Sequence, residues 1–258
     1  MNSSHIKFIN KAHNIASRHF GSTFPNPVVG CIIAKNNKII SKGVTFKSGR
    51  PHAEEVALKK AGENAKGATM YVTLEPCFHN SINGSCSDQI LRAGIKEIYI
   101  SSIDPDKRTK CNSIIKFRLN KIKTYTGIQI NKTYELNKFF FKSIKLKKPY
   151  TKVKMAISND EKIAWKDYNS KWISNSSSRT YAHQIREKSQ AILTTVKTII
   201  KDNPRFTIRK KNKETKHLPI IVVDRNLKIP IHAKILKDRY KKRIIIFTSK
   251  KNNKMKNL

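Results

Sequence analysis

PHAEEVALKK, at residues 51–60, and LEPCFHNSINGSC, at residues 74–86, are the two stretches that decide how this chain folds and what chemistry it carries. The first places a glutamate two residues after a histidine, and the second holds two of the four cysteines. Packing is one explanation, because a buried cysteine is most often a small apolar residue of the core. A metal site is the other, because imidazole and thiolate are ligands that Zn²⁺ prefers.

The combination of residues favours zinc. Two thiolates and one neutral imidazole, from Cys77, Cys86 and His52, balance the charge of Zn²⁺ and leave a fourth position for water. His52 and Cys86 are each predicted to lie where a helix begins, and a helix N-terminus lowers the pKa of a thiol. Glu54, on the first turn after His52, is close enough to move a proton without binding the metal. H-x-E followed by P-C and a second cysteine is the zinc deaminase pattern.

Four neighbouring residues receive no ligand role. Cys31 is predicted to lie in mid-strand and Cys111 in a polar loop, so both are interpreted as non-ligands. Glu55 is expected to face solvent. Glu75, before Pro76, either braces the cysteine loop or is a surface charge, and the sequence leaves both possibilities open.

The charge of the chain is strongly positive. Lys and Arg total 54 against 17 Asp and Glu, which gives a formal net charge of +37. Clustered basic residues bind nucleic acid, but here the lysines are scattered and no basic stripe alternates with aromatics. We therefore interpret the charge as compositional drift, with a positive field that favours anionic small-molecule substrates.

The composition and the N-terminal sequence limit the class of protein to which the chain can belong. With 38% hydrophobic residues the chain can form a core, and four cysteines do not make a disulfide scaffold. No apolar run is long enough to cross a bilayer, and the N-terminus lacks the pattern of a secretion signal. We expect a soluble, cytoplasmic protein with reduced thiols.

Periodicity predicts an α/β protein in two parts, because strands and helices alternate in both halves. A basic, proline-ended joint near residues 145–150 predicts domains at 1–146 and 147–258. The predicted helices are 4–20, 53–62, 87–94 and 176–190. The predicted strands are 28–35 and 38–46, joined as a hairpin around Asn36 and Asn37, and 69–74, 96–103, 150–157, 191–196, 218–224 and 243–249.

Several motifs together resemble a known family. In the first half these are PNPVVG (25–30), HAE (52–54), AKGATMYVTLEPC (65–77) and LRAGIKEIYISSIDP (91–105). They are similar to the deaminase half of the bifunctional riboflavin-biosynthesis deaminase-reductases. In the second half, PYTKVKMAIS (149–158), SKWIS (170–174), AILTTVKTIIKDNPRFTIR (191–209) and PIIVVD (219–224) resemble the reductase half, in the same order.

The resemblance implies a fold and two reactions. The fold is a cytidine-deaminase-like three-layer α/β/α domain followed by a partial α/β domain similar to dihydrofolate reductase. The first reaction removes the 2-amino group of a phosphorylated diaminopyrimidine by hydrolysis. The second reduces the ribosyl group of the product to a ribityl chain with NADPH.

The resemblance also assigns roles by position. It implies that His52, Cys77 and Cys86 hold zinc and that Glu54 transfers protons. Substrate contacts in the first half are assigned to Asn26 and His79 at the ring and Asp104 near the ribose-phosphate end. In the second half the assigned cofactor contacts are Ala156, Ser158, Trp172, Thr198 and Asp202, and the assigned substrate contacts are Ser170, Arg186, Phe206 and Arg209.

The chain departs from the family pattern in three places. The loop before Cys86 lacks the usual basic residue and two prolines, and Lys107 or Arg108 is a candidate to replace the lost charge. Glu161 replaces a turn glycine, which predicts strain or a changed turn. The family continues past Leu258 with a strand and a glycine-rich phosphate loop. We therefore expect an impaired reductase, or one completed by a separate chain, and a homo-oligomer is a further possible assembly.

Two alternatives use nucleic acid instead of a small molecule. A nucleic-acid base deaminase would share the zinc motif, but such enzymes carry P-C-x-x-C, whereas eight residues separate Cys77 and Cys86 here. A basic nucleic-acid binder on a decayed deaminase scaffold would release no ammonia and would lose affinity steeply with salt.

Overall fold

A mixed sheet of five strands organises the first half of the chain, in the order β2-β1-β3-β4-β5. β1 runs antiparallel to β2 and β3, whereas β3, β4 and β5 are parallel. The strands are β1 (Gly30–Lys35), β2 (Lys38–Val44), β3 (Thr69–Leu74), β4 (Glu97–Ser102) and β5 (Lys123–Thr126). The helices are α1 (Ser3–Ser17), α2 (Ala53–Ala61), α3 (Cys86–Arg92), α4 (Asn112–Leu119) and α5 (Ile130–Leu146).

The computed structural model describes residues 3–79, 84–166, 173–210, 213–238 and 243–249. The chain divides into two units, Met1–Thr151 and Lys152–Leu258. The boundary predicted between residues 146 and 147 lies at the C-terminal end of α5 and stays a prediction.

Helices cover both faces of the first sheet, so its strands are apolar on both sides. Along β1, Cys31 and Ile33 face the core formed with α2, α3 and α4, whereas Ile32 and Ala34 face α1. α1 contributes Phe8, Ile9 and other buried residues at helical spacing, as its sequence period predicts. This confirms the three-layer α/β/α arrangement.

Two local features shape β1, β2 and the approach of α2. The turn between β1 and β2 has positive φ at Asn36 and Asn37, as expected for the predicted tight hairpin. Opposite α2, a Cβ at Gly43 would lie 1.9 Å from the carbonyl oxygen of Ala53. Glycine is therefore required for this close approach, which sets the first turn of α2 over the sheet.

The functional end of the sheet lies where β3 and β4 end. Glu75, Pro76 and Cys77 follow β3 directly, and Asp104 follows β4 after one residue. In open parallel sheets, ligand sites form at the carboxyl ends of the strands.

In the second unit, the sheet in the described part of the chain has three parallel strands in the order β10-β9-β6, and β7 and β8 pair separately. Its buried core contains residues of α7, β9, α8 and the connection before α8, namely Ile199, Ile220, Val222, Ile229, Ala233 and Ile235. The elements are α6 (Ser176–Glu187), β6 (Ile192–Thr195), α7 (Val196–Asp202), β7 (Ile208–Lys210), β8 (Lys213–Lys216), β9 (Ile220–Val223), α8 (Lys234–Lys237) and β10 (Ile244–Phe247). The predicted strands at 191–196, 218–224 and 243–249 are thus confirmed.

The prediction of a strand at 150–157 is wrong. These residues have no regular structure, and the side chains of Val153 and Met155 are 82% and 66% exposed. An alternating apolar pattern becomes a strand only when a neighbouring strand pairs with it. Among the described residues no strand pairs with this segment.

Within the ranges given above, no helix has the length and apolar character needed to cross a bilayer.

Candidate metal centre

His52, Cys77 and Cys86 converge at the functional end of the sheet. One ligand atom from each residue lies within 4.8 Å of the other two. His52 is the N-cap residue of α2, Cys77 follows β3, and Cys86 is the first residue of α3. Among the described residues this is the one group of His, Cys, Asp and Glu close enough to share a metal ion, and it includes neither Cys31 nor Cys111.

The ligand atoms point toward one another. Nδ1 of His52 lies 3.2 Å from Sγ of Cys86, and the Cys86 backbone N–H donates to Sγ of Cys77 at 3.3 Å. The Ser87 N–H donates to the carbonyl of Cys77 at 3.1 Å, which ties the second ligand to the helix of the third. One imidazole nitrogen and two sulfurs fit a zinc ion that keeps a fourth position open.

The electrostatics of the two cysteines are asymmetric. Hydrogen bonds from Cys86 and His52 lower the pKa of Cys77 to about 4, against the opposing effect of burial. The bond to Cys77 and burial raise the pKa of Cys86. Cys77 is therefore the thiol of the two that ionises more readily, and a cation would favour ionisation of Cys86 as well.

The pKa of the His52 imidazole is raised overall. Burial by itself lowers this pKa, but the hydrogen bond with Cys77 and the negative charges of Glu54 and Cys77 raise it by more.

Glu54 lies beside this group, on the first turn of α2, and is only 3% exposed. Burial raises its pKa to about 7, and the charge of His52 offsets only part of that effect. A carboxyl group that titrates near neutral pH can both accept and release a proton. Glu54 can therefore carry the proton in the role that its position after His52 predicts.

The expectation that Glu55 faces solvent is wrong. Its side chain is 9% exposed, and Oε2 accepts a hydrogen bond from the His52 N–H at 2.6 Å. Arg50 Nη1 lies 3.5 Å from the same oxygen. A glutamate three residues after an N-cap is the signal of a capping box, and that signal could have located this contact from the sequence.

Asn26 contacts the metal group from its outer side. Its Nδ2 donates to the carbonyl of Gly49 at 2.9 Å and lies 3.1 Å from Nε2 of His52. Gly49 has a φ of +87°, and a Cβ there would lie 2.8 Å from the Asn26 side chain. Asn137 holds the following segment, because its amide group bonds to both the N–H and the carbonyl of Val28 at 2.9 Å. Asn26 is thus positioned to orient the imidazole of His52.

Glu75 is a buried brace for the segment after β4. It is 3% exposed and accepts hydrogen bonds from the backbone of Asp104 and Cys111, both at 3.1 Å, and from Ser113 Oγ at 2.8 Å. This excludes the surface-charge interpretation. The residues it bonds belong to segment 104–113 and not to the cysteine loop.

His79 and Asp104 lie on the two loops that border the site. Nδ1 of His79 is 3.4 Å from Thr109 Oγ1, which links the loop after Cys77 to segment 104–113. Asp104 Oδ1 accepts from the Asp106 N–H at 2.8 Å. Residues 80–83 of the cysteine loop lie outside the described residues.

Of the two cations proposed to replace the missing basic residue of the cysteine loop, Arg108 already has an anionic partner. Its guanidinium pairs with both carboxylate oxygens of Asp106. Lys107 remains the other candidate.

Asp104 is expected to destabilise the fold as the pH rises. Burial, with the charges of Asp106 and Glu75, raises its pKa from 3.8 to about 7. A carboxyl whose pKa is higher in the folded state favours folding below about pH 4, and this advantage is lost as the pH rises through 7. Asp104→Asn should therefore increase the free energy of unfolding by up to about 4 kcal/mol at pH 8, and by less at pH 5. Urea unfolding at both pH values measures this, and equal gains would contradict it.

Only some of the site residues assigned to the second unit lie within the ranges that the structure describes. Ala156 and Ser158 lie in the irregular segment, and Thr198 and Asp202 lie on α7. Glu161 has a φ of +60°, which bears out the expected strain of a non-glycine residue at that turn. Ser170 and Trp172 lie outside the described residues.

The substrate-side residues of the second unit include a cationic pair. Arg186, on α6, is half-buried, and burial together with the charge of Arg209 lowers its pKa. The Arg209 N–H donates to Nδ1 of His183 at 3.3 Å, and Phe206 lies in the connection before β7. Within the described ranges, no carboxylate forms an ion pair with either arginine. An anionic ligand would relieve the repulsion between these charges.

Known proteins resemble the chain in both halves. Residues 2–102 match the family described as the cytidine and deoxycytidylate deaminase zinc-binding region, and residues 149–258 match the RibD C-terminal domain. The riboflavin biosynthesis protein RibD of Aquifex aeolicus is 39% identical over 251 residues, which cover 97% of this chain and 70% of that protein. RibD of Actinobacillus pleuropneumoniae is 35% identical, over 94% of this chain and 64% of that protein.

Solved structures of RibD proteins are also similar to the chain. RibD of Acinetobacter baumannii superposes with a TM-score of 0.88 at 31% identity, over 96% of this chain and 70% of that one. A Thermotoga maritima diaminohydroxyphosphoribosylaminopyrimidine deaminase/5-amino-6-(5-phosphoribosylamino)uracil reductase gives 0.87 at 32% identity, over 96% and 71%. The chain spans between 54% and 70% of the length of the curated relatives described as RibD.

Proposed function

This chain belongs to the RibD family of riboflavin-biosynthesis deaminase-reductases, and we propose that it catalyses both of the reactions that this membership implies. The first is hydrolytic deamination of the diaminohydroxyphosphoribosylaminopyrimidine. The second, which the sequence predicts to be impaired, is NADPH-dependent reduction of the ribosyl side chain of the deaminated product to a ribityl chain. The cofactors are zinc in the first unit and NADPH in the second.

The observation that carries the deaminase proposal is the convergence of one imidazole and two thiols beside a buried carboxyl group. In this proposal His52, Cys77 and Cys86 hold the metal. Zinc, when bound, supplies a Lewis acid that makes water a better nucleophile at neutral pH. The pKa of Glu54, about 7, suits a group that must take a proton early in the reaction and return it later.

The roles of the protein side chains follow from their positions. Glu54 removes a proton from the attacking water, and the oxygen bonds to the ring carbon that carries the 2-amino group. Glu54 then delivers the proton to the departing nitrogen, so that the C–N bond breaks and ammonia leaves. Asn26 and His79 are proposed to contact the ring. Asp104, on the other bordering loop, is proposed to lie near the ribose-phosphate end.

The reductase proposal is supported by the cationic pair in the second unit. Arg186 and Arg209 offer planar, charge-assisted contacts to a phosphate group. We propose that these two residues bind the substrate together with Ser170 and Phe206. The proposed contacts to NADPH are Ala156, Ser158, Trp172, Thr198 and Asp202.

Membership of this family favours a small phosphorylated pyrimidine over the two nucleic-acid alternatives. The high positive charge alone supports those alternatives, and the lysines that produce it are scattered along the chain. A cytoplasmic location, a homo-oligomer, and a separate chain that completes the reductase stay predictions from the sequence.

The test follows the two reactions separately. The purified protein is incubated with the diaminopyrimidine substrate, with and without NADPH, while ammonia and NADPH absorbance are recorded. We expect ammonia without NADPH, and NADPH oxidation only after ammonia has been released, because reduction acts on the deaminated product. Ammonia without any NADPH oxidation would limit the function to the first unit. Absence of ammonia from a zinc-loaded protein would contradict the deaminase proposal.

A further inference from the structure

Glu55 joins the two helices that carry metal ligands. Its Oε2 accepts from the N–H of His52 at 2.6 Å, and its Oε1 accepts from Nε2 of Gln89 at 3.3 Å. Gln89 lies on α3, three residues after Cys86. The same carboxylate therefore contacts the backbone of one ligand and the helix that begins at another.

The Glu55 side chain is shielded from water and lies near a cation. The side chain is 9% exposed, so water competes little for its oxygens. Arg50 Nη1, at 3.5 Å from Oε2, adds a positive charge from the loop that precedes His52. The link joins the loop that carries Arg50, the N-terminus of α2 and the first turns of α3.

Asp88 provides an internal comparison. It occupies the third position of α3, as Glu55 does in α2, so each acidic side chain lies near the N-terminus of a ligand-bearing helix. The Asp88 carboxylate accepts from Ser85 Oγ and pairs with Lys116 Nζ at 2.6 Å. Lys116 belongs to α4, so these contacts of Asp88 do not reach α2. Both carboxylates lie near the N-terminus of a helix, but only that of Glu55 connects α2 with α3.

We propose that Glu55 is a positioning residue for the zinc site, which sets the spacing and orientation of His52 and Cys86 before the metal binds. A site whose ligands are already placed loses less conformational freedom when it binds a metal, so its affinity is higher. The proposal rests on the proposed function only in taking zinc as the metal. It assigns to Glu55 no contact with the substrate.

The test compares Glu55→Gln with Asp88→Asn in the full chain. In Glu55→Gln a single amide oxygen replaces the two carboxylate oxygens that accept from His52 and Gln89, and the negative charge that faces Arg50 is lost. We expect Glu55→Gln to weaken zinc binding about 10- to 100-fold, as partners of metal ligands generally do, when affinity is measured by competition with a chromophoric chelator. Asp88→Asn is expected to change the affinity less than about 3-fold, because it retains the α2–α3 link. Circular dichroism verifies that both variants fold.

A mutant cycle separates positioning from helix capping. If Glu55 acts through Gln89, Gln89→Leu should weaken zinc binding, and the double variant should bind zinc about as weakly as Glu55→Gln alone. Additive losses, or a loss in Glu55→Gln no larger than in Asp88→Asn, would overturn the proposal and leave the deaminase assignment intact. A wild-type protein that binds no zinc would overturn both.

Discussion

Glu54→Gln is expected to retain zinc and to release ammonia about 10²- to 10⁴-fold more slowly than the wild-type protein, the range typical of removing a general acid-base group. Glutamine has nearly the same shape, so the neighbouring ligands His52 and Cys77 keep their positions. An amide, however, cannot take a proton from water and pass it to the leaving nitrogen. The rate of ammonia release at saturating substrate and the zinc content of the same sample are the two measurements.

Glu63→Gln is a suitable control for this experiment. Glu63 is exposed and lies just beyond the C-terminal end of α2, so the substitution removes the same charge at a distance from the metal group. It should leave ammonia release unchanged. A Glu54→Gln protein with more than about a tenth of the wild-type rate would show that another group transfers the proton.

Cys86→Ser is expected to lower zinc affinity on the order of 10²- to 10³-fold, and with it to abolish ammonia release at limiting zinc. The substitution replaces a soft thiolate by a hydroxyl that is protonated at neutral pH. It also removes the contact between Sγ and Nδ1 of His52 at 3.2 Å. Metal analysis after dialysis should find about one zinc per wild-type chain and far less in the variant.

Cys111→Ser serves as the matched control for Cys86→Ser. Cys111 precedes α4 and lies outside the group of candidate ligands. Its side chain is partly exposed, so the smaller hydroxyl is tolerated. Zinc loss from Cys111→Ser, or full zinc retention in Cys86→Ser, would contradict the assignment of ligands.

The set of metal ligands could be predicted from the sequence alone, because it depends on the chemistry of the residue types and on local structure. A histidine before a helix, a cysteine after a buried strand and a cysteine at a helix start each have a local signal. The strands that position them were also predictable, since apolar runs such as 69–74 and 96–103 alternate with helical segments. Family resemblance then supplied the substrate side, which no local pattern contains.

Other features depended on which distant segments come into contact. Glu55 was expected in solvent. Its contact with the His52 N–H has a local capping-box signal, but its bond from Gln89 exists only because α3 approaches α2. Glu75 had two possible roles until the backbone of Asp104 and Cys111 was found to bond to it. In both cases the decisive partner is remote in sequence or lies on another element, and periodicity carries no information about such contacts.

The amino-acid sequence by itself determined the order of strands and helices up to residue 103, the zinc-type ligand set and the acid-base candidate, because these follow from side-chain chemistry and from periods of two and 3.6 residues. Tertiary structure decided the rest. It raised the pKa of Glu54 by burial, placed Asn26 against His52, and gave residues 150–157 no pairing strand in the part of the chain that the structure describes. Burial and pairing are properties of the assembled chain, since each depends on atoms that the local sequence does not supply.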